Sequence, residues 1–148
     1  MAATKNNRKA EQFTSAGQAA PSASTTIRFA LLSMNQNTLF IDAEYARSQP
    51  FGRRPVLDTP VFSLTVGMSV ADTTGKAIAD LGYDTVILER PPFPGDGLYA
   101  ESEVLEKRES ASKPDRGIVA IETRAHNQNR QRILVLRRLY LAPKRGAS

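Results

Sequence analysis

Carboxylates are plentiful along this chain, with 15 Asp and Glu, but imidazole is rare and thiol absent. There is no cysteine, so a thiolate nucleophile, a thiolate metal site and a disulfide framework are all excluded. The single histidine, His126, rules out a multi-histidine metal site. It falls at the end of a predicted strand beside the turn residues Asn127 and Gln128, where a surface histidine is the expected reading. Glu101 and Glu103 are two apart in an alternating segment and share a face. Paired carboxylates can divide acid and base work, but a solvated strand face accounts for them as well. Asp42 precedes Ala43-Glu44-Tyr45-Ala46-Arg47. Its carboxylate can act as a base or cap a short helix, and capping is the favoured reading. Tyr45 reads as a core or rim tyrosine and Glu44 as solvated. Gly95-Asp96-Gly97 reads as a turn. It is not a phosphate loop, because no strand leads from it into a helix N-terminus with several glycines.

The elements that must position these groups follow from the apolar pattern. Thr59 to Asp72 (TPVFSLTVGMSVAD) has no charge between Asp58 and Asp72 and is apolar on nearly every side at helical spacing. A helix of that kind in a soluble protein is expected to be buried all round. Pro60 suits its first turn, Asp58 or Thr59 is the expected cap, and Thr74-Gly75 its end. Upstream, Ser24 to Ser33 predicts a short helix, Met34 to Phe40 a polar loop, and Asp42 to Arg47 a second short helix. Downstream, Thr85 to Glu89, Leu98 to Glu109, Gly117 to His126 and Ile133 to Leu141 predict strands, with polar turns between. Residues 1–24 are rich in Ala, Ser, Thr, Gln and Asn and read as a disordered or loosely attached tail. A helix-rich first half followed by antiparallel strands is an α+β arrangement. A single curled sheet keeps an open edge, which favours pairing with a second copy.

At 148 residues the chain is one domain with a real core. No apolar run is long enough for a signal sequence or a membrane span, so a cytoplasmic protein without membrane attachment is the plain expectation. The net charge of +5 suits anionic partners. Nucleic acid is disfavoured, because aromatics are few and there is no RNP-like string.

Several segments carry a resemblance: MNQNTLFIDAEYARSQPFG, LTVGMSVADTT, ADLGYDTVILERPPFPGDGLYAESEVLEKRES and GIVAIETRAHNQ. Taken in order across residues 25 to 142, they resemble the MaoC-like hot-dog dehydratases, and within them the mesaconyl-CoA hydratase branch. The resemblance implies a hot-dog fold over residues 25–143, with the antiparallel sheet wrapped around the long helix and residues 144–148 as a polar tail. It implies reversible hydration of an enoyl-CoA thioester, a hydro-lyase reaction, with no cofactor beyond the coenzyme A of the substrate and no metal. It also implies a homodimer or a hot-dog heterodimer. Family members begin with a first strand that residues 1–24 do not resemble, so that strand is expected to be missing or altered.

In the wider family the catalytic loop carries an Asp, an Asn and a His. Laid on this chain, Asn35 stands where many relatives have the Asp, and Asn37 keeps the Asn. Phe40 replaces the His, and Asp42 takes the following acidic position. Phe cannot take a proton, and removing a general acid or base costs about 10²–10⁴-fold. The expected catalytic positions are therefore Asn35, Asn37 and Asp42, with activity impaired or absent. The resemblance also places the thioester enolate against backbone N–H groups at the start of the long helix, at Leu57, Asp58 and Thr59. Arg90 is the candidate contact for the coenzyme's phosphates, with Arg108, Lys113 and Arg116 as further candidates, and surface charge is the plain reading of each alone. A non-catalytic subunit pairing with an active relative is the alternative.

Overall fold

The computed structural model describes residues 12–144. Four helices and five strands alternate in blocks: β1 Gln12–Ala19, α1 Ala23–Leu32, α2 Thr38–Ile41, α3 Ala43–Arg47 and α4 Asp58–Ser69, then β2 Ala79–Leu88, β3 Leu98–Glu109, β4 Arg116–His126 and β5 Arg132–Pro143. The strands form one antiparallel sheet in the order β1-β3-β4-β5-β2. Helix α4 lies against its inner face in the hot-dog arrangement.

Alternation in the sequence decides which side of each strand is buried. Leu98, Ala100 and Ser102 of β3 are buried, as are Val119, Ile121, Thr123 and Ala125 of β4 and Leu134, Leu136 and Tyr140 of β5. Val56 and Val61 join Leu98, Ala125, Leu134 and Leu136 in the main core, and Phe62, Leu64, Val66 and Met68 of α4 pack against it. Two polar side chains inside this layer satisfy each other, Ser102 Oγ and Thr123 Oγ1 at 2.9 Å. The outer face carries the charges. Arg124 bridges Glu103 (2.8 Å) and Glu122, and Arg137 holds the other Glu122 oxygen at 2.7 Å.

Three expectations change. First, the strand expected to be missing or altered is present: residues 12–19 pair antiparallel with β3, from Gln12↔Glu103 to Ala19↔Leu98, with a bulge between Ser15 and Gln18. The segment reads as tail because backbone pairing at a sheet edge leaves little mark on composition. Residues 20–24 are also part of the fold: Pro21 is buried and Ser22 caps α1. Residues 1–11 of the expected tail lie outside the described residues, as do 145–148. Second, α4 is not buried all round. Pro60, Val61, Thr65 and Ser69 are buried, but Ser63 and Gly67 are exposed and Val70 is 38% exposed. One curled sheet covers only one side of a helix. Third, α4 has no side-chain cap: Leu57 occupies the cap position, and the helix ends at Ser69 rather than at Thr74.

Strand β2 is the other open edge. Leu81, Tyr83, Val86, Ile87 and Leu88 are each between 38% and 51% exposed. An apolar strand with an unpaired edge is a template for a further strand.

Candidate functional site

The loop expected to carry the chemistry is built from local hydrogen bonds. Asn35 Oδ1 accepts the amide N–H of Asn37 at 3.1 Å. Asn37 Oδ1 in turn accepts that of Leu39 at 3.0 Å and caps α2. Asp42 Oδ1 accepts two amides, Glu44 at 2.9 Å and Tyr45 at 3.1 Å, and caps α3. The carboxylate is therefore a helix cap. Each of the three polar side chains at the expected catalytic positions holds backbone. Phe40, where a base is expected, is half-buried in α2. Asp42, Glu44 and Tyr45 are exposed.

The start of α4 keeps part of its expected donor set. Pro60 has no N–H, and the Thr59 amide donates to Asp58 Oδ1 at 2.8 Å. Thr59 is thus taken by the neighbouring carboxylate. The amides of Leu57 and Asp58 donate to no acceptor among the described residues. Free amides at the positive end of a helix suit a developing negative charge. The Asp58 side chain is exposed.

Three segments gather at this end of the sheet. The Val56 amide donates to Pro92 O at 2.8 Å, which ties residues 51–57 to the loop after β2. That loop turns at Gly95 (φ 95°), where Asp96 Oδ2 accepts the Phe93 amide at 2.9 Å. The turn after β4 then locks onto it: Gln128 Oε1 accepts the Gly97 amide at 2.9 Å, and Gln128 Nε2 donates to Asp96 Oδ1 at 3.1 Å. Both turns are legible as turns, but their mutual bonding, 31 residues apart, is not.

Arg90 stands at the same end, beside a cavity of about 240 Å³ also lined by Phe51, Arg53 and Phe93. Arg108, Lys113 and Arg116 lie toward the β3–β4 hairpin at the opposite end of the sheet, and Arg116 is paired with Asp115 at 2.8 Å. Arg53 was not singled out by the sequence, although Pro50 to Pro55 is a visible turn. Its guanidinium carbon lies 3.7 Å from the Phe93 ring centre.

Glu101 and Glu103 do share the outer face, and Glu103 is held by Arg124. Glu101 and His126 line an outer cavity of about 310 Å³ with Arg124, Arg130 and Arg132. The imidazole stacks on Tyr99 at 5.8 Å between ring centres. Burial raises the carboxyl of Glu122, but hydrogen bonds from Arg137 and Arg124 outweigh it and hold the group below its usual range. This face is a charge lattice on the side of the sheet away from α4. Among the described residues no cluster of three or more His, Cys, Asp or Glu side chains could hold a metal. Among the described residues no helix is long and apolar enough to cross a membrane.

A family model described as mesaconyl-CoA hydratase matches residues 10–148. The chain belongs to the mesaconyl-CoA hydratase family. It is 35% identical over 105 residues to the mesaconyl-CoA hydratase of Cereibacter sphaeroides, an alignment covering 71% of this chain and 30% of that protein. The chain thus spans about a third of the length of that curated relative. Among solved structures it is similar to a monoamine oxidase regulatory protein from Archaeoglobus, with TM-score 0.81 and 26% identity over 90% of this chain and 89% of that one. It is also similar to the (R)-hydratase of A. caviae involved in PHA biosynthesis, with TM-score 0.75 and 25% identity over 94% and 99% of the two chains. Family membership covers β1 as well, since the matched region begins at residue 10.

Proposed function

We propose that this domain binds an acyl-CoA thioester of the enoyl-CoA or mesaconyl-CoA type and hydrates it weakly or not at all. The observation that carries this reading is the loop from Asn35 to Asp42. Phe40 fills the position where a base is needed, and Asn35, Asn37 and Asp42 spend their side-chain oxygens on backbone amides. Binding is supported by the free amides of Leu57 and Asp58 at the positive end of α4 and by Arg90 at the same end of the sheet. The thioester carbonyl would lie against the amides, where negative charge on its oxygen is stabilised without any proton transfer. The reading needs no cofactor beyond the coenzyme A of the ligand.

The test is restoration. Phe40→His, then Phe40→His with Asn35→Asp, is assayed by loss of thioester-conjugated absorbance with mesaconyl-CoA and crotonyl-CoA. A gain of about 10²-fold or more is the scale a positioned acid or base contributes. No gain from either variant counts against an intact pocket.

A second reading is favoured by the open side of α4 and the apolar edge of β2. Here the domain is a non-catalytic hot-dog that pairs with an active relative, as a heterodimer rather than a homodimer. A monodisperse homodimer that binds the thioester unaided excludes this second reading.

A further inference from the structure

Several arginines in this fold are occupied. Among the described residues, Arg47, Arg116, Arg124, Arg132 and Arg137 pair with carboxylates. Arg54 donates to Ile41 O, and Arg138 donates to Ser69 and Thr73 hydroxyls. The side chains of Arg53 and Arg90, like those of Arg28, Arg108 and Arg130, donate to no described residue, and of these five Arg53 and Arg90 line the same cavity of about 240 Å³. Arg53 is nonetheless held in place. Its guanidinium carbon sits over Phe93, 3.7 Å from the ring centre, and Phe51 meets the same ring edge-on at 6.2 Å and 70°. Stacking uses the face of a guanidinium and leaves its in-plane N–H donors free. A fixed cation with unused donors beside a second unpaired arginine suits phosphate, which accepts paired N–H bonds.

The cavity has further properties of a nucleotide site. Phe51 is 48% exposed and offers a ring on which a base can stack. Asn129 and Gln131 line the same space with amide groups. Asp96 is the one carboxylate in the lining, and both its oxygens are turned into the loop, accepting from Phe93 N and Gln128 Nε2. Arg53 is four residues from Leu57, so their Cα atoms lie within about 14 Å of each other. An extended pantetheine arm spans such a distance.

We propose that this cavity holds the phosphorylated nucleotide end of the coenzyme A thioester, with Arg53 and Arg90 on its phosphates and Phe51 under its base. The proposal rests on the thioester-binding reading and deepens it. Calorimetric titration of the full chain with coenzyme A, with 3′,5′-adenosine bisphosphate and with an acyl-pantetheine thioester tests it. The variants are Arg53→Gln, Arg90→Gln and Phe51→Ala, with folding checked by circular dichroism. Each arginine variant is expected to weaken coenzyme A and the bisphosphate about 10–100-fold, the scale of a lost charge-assisted hydrogen bond, and to leave acyl-pantetheine affinity unchanged. Arg90→Gln disturbs no stacked ring, so its result stands even where Arg53→Gln shifts the loop. Wild-type binding of coenzyme A with all three variants unaffected overturns this site and leaves the thioester reading in place. Equal weakening of coenzyme A and acyl-pantetheine overturns the assignment to the nucleotide end. A wild-type chain that binds none of the three ligands overturns both.

Discussion

Asp42 is either a helix cap or a surviving catalytic carboxylate, and substitution separates the two. In the structure one oxygen, Oδ1, accepts two amides at 2.9 and 3.1 Å at the start of the five-residue helix α3. Replacing a capping Asp by Ala costs about 0.5–2 kcal/mol, and Ser or Asn restores most of that. Helix α3 is short and its residues are exposed apart from Ala46, so the cost falls on local opening rather than on global unfolding. In Asp42→Ala, amide hydrogen exchange at Glu44 and Tyr45 is therefore expected to speed up by roughly 2–30-fold, the same free energy expressed as a ratio. Asp42→Ser is expected to stay near wild type. Any hydration activity should change by less than tenfold in both variants. If exchange is unchanged in Asp42→Ala while hydration falls by about 10²-fold or more in both variants, Asp42 is a base and the capping argument fails.

Three further outcomes follow from the fold. Glu122 has its folded pKa held below the usual 4.5, so its contribution to stability is complete above that value and is lost as pH falls through the lowered one. The stability difference between wild type and Glu122→Gln in urea titrations should shrink on acidification below about pH 4.5; a difference that grows instead contradicts the sign. Arg138 is 1% exposed, with Nε and Nη1 lacking partners. Arg138→Met is therefore expected to hold or raise thermal stability, whereas Arg138→Ala should cost about 2–4 kcal/mol through the cavity it leaves. A large loss in the Met variant would mean that the Nη2 bonds to Ser69 and Thr73 outweigh the two unpaired donors. Placing a charge at the centre of β2 with Val86→Lys should reduce self-association measured by analytical ultracentrifugation if copies pair along that edge; an unchanged mass distribution refutes pairing there.

The strands β3, β4 and β5 were readable to within a residue or two: buried and outward positions alternate in the first half of β3 and along much of β4, and β5 is an apolar run bounded by polar turns. Asp42 as a cap was readable because capping is local. What escaped depends on long-range or intermolecular geometry. Strand β1 is recognised by its pairing with β3 rather than by its composition. The open face of α4 follows from how far one sheet can curl, which an apolar segment does not reveal. Asp58 looked like a cap for α4, but its carboxylate closes on the next amide, Thr59, while Leu57 takes the cap position. The Arg53–Phe93 stack joins two loops separated by all of α4 and β2. Phe40 at the position where the resemblance expects a His is visible in the sequence itself.

The central claim is that the thioester end of the site remains while the proton-moving end does not. The most direct test is the rate of mesaconyl-CoA hydration by the wild-type chain at saturating thioester, followed by absorbance. The account predicts a turnover at least about 10²-fold below the roughly 10 s⁻¹ of an ordinary enzyme. A turnover near 10 s⁻¹ would contradict it and require a base that Asn35, Asn37, Phe40 and Asp42 do not supply.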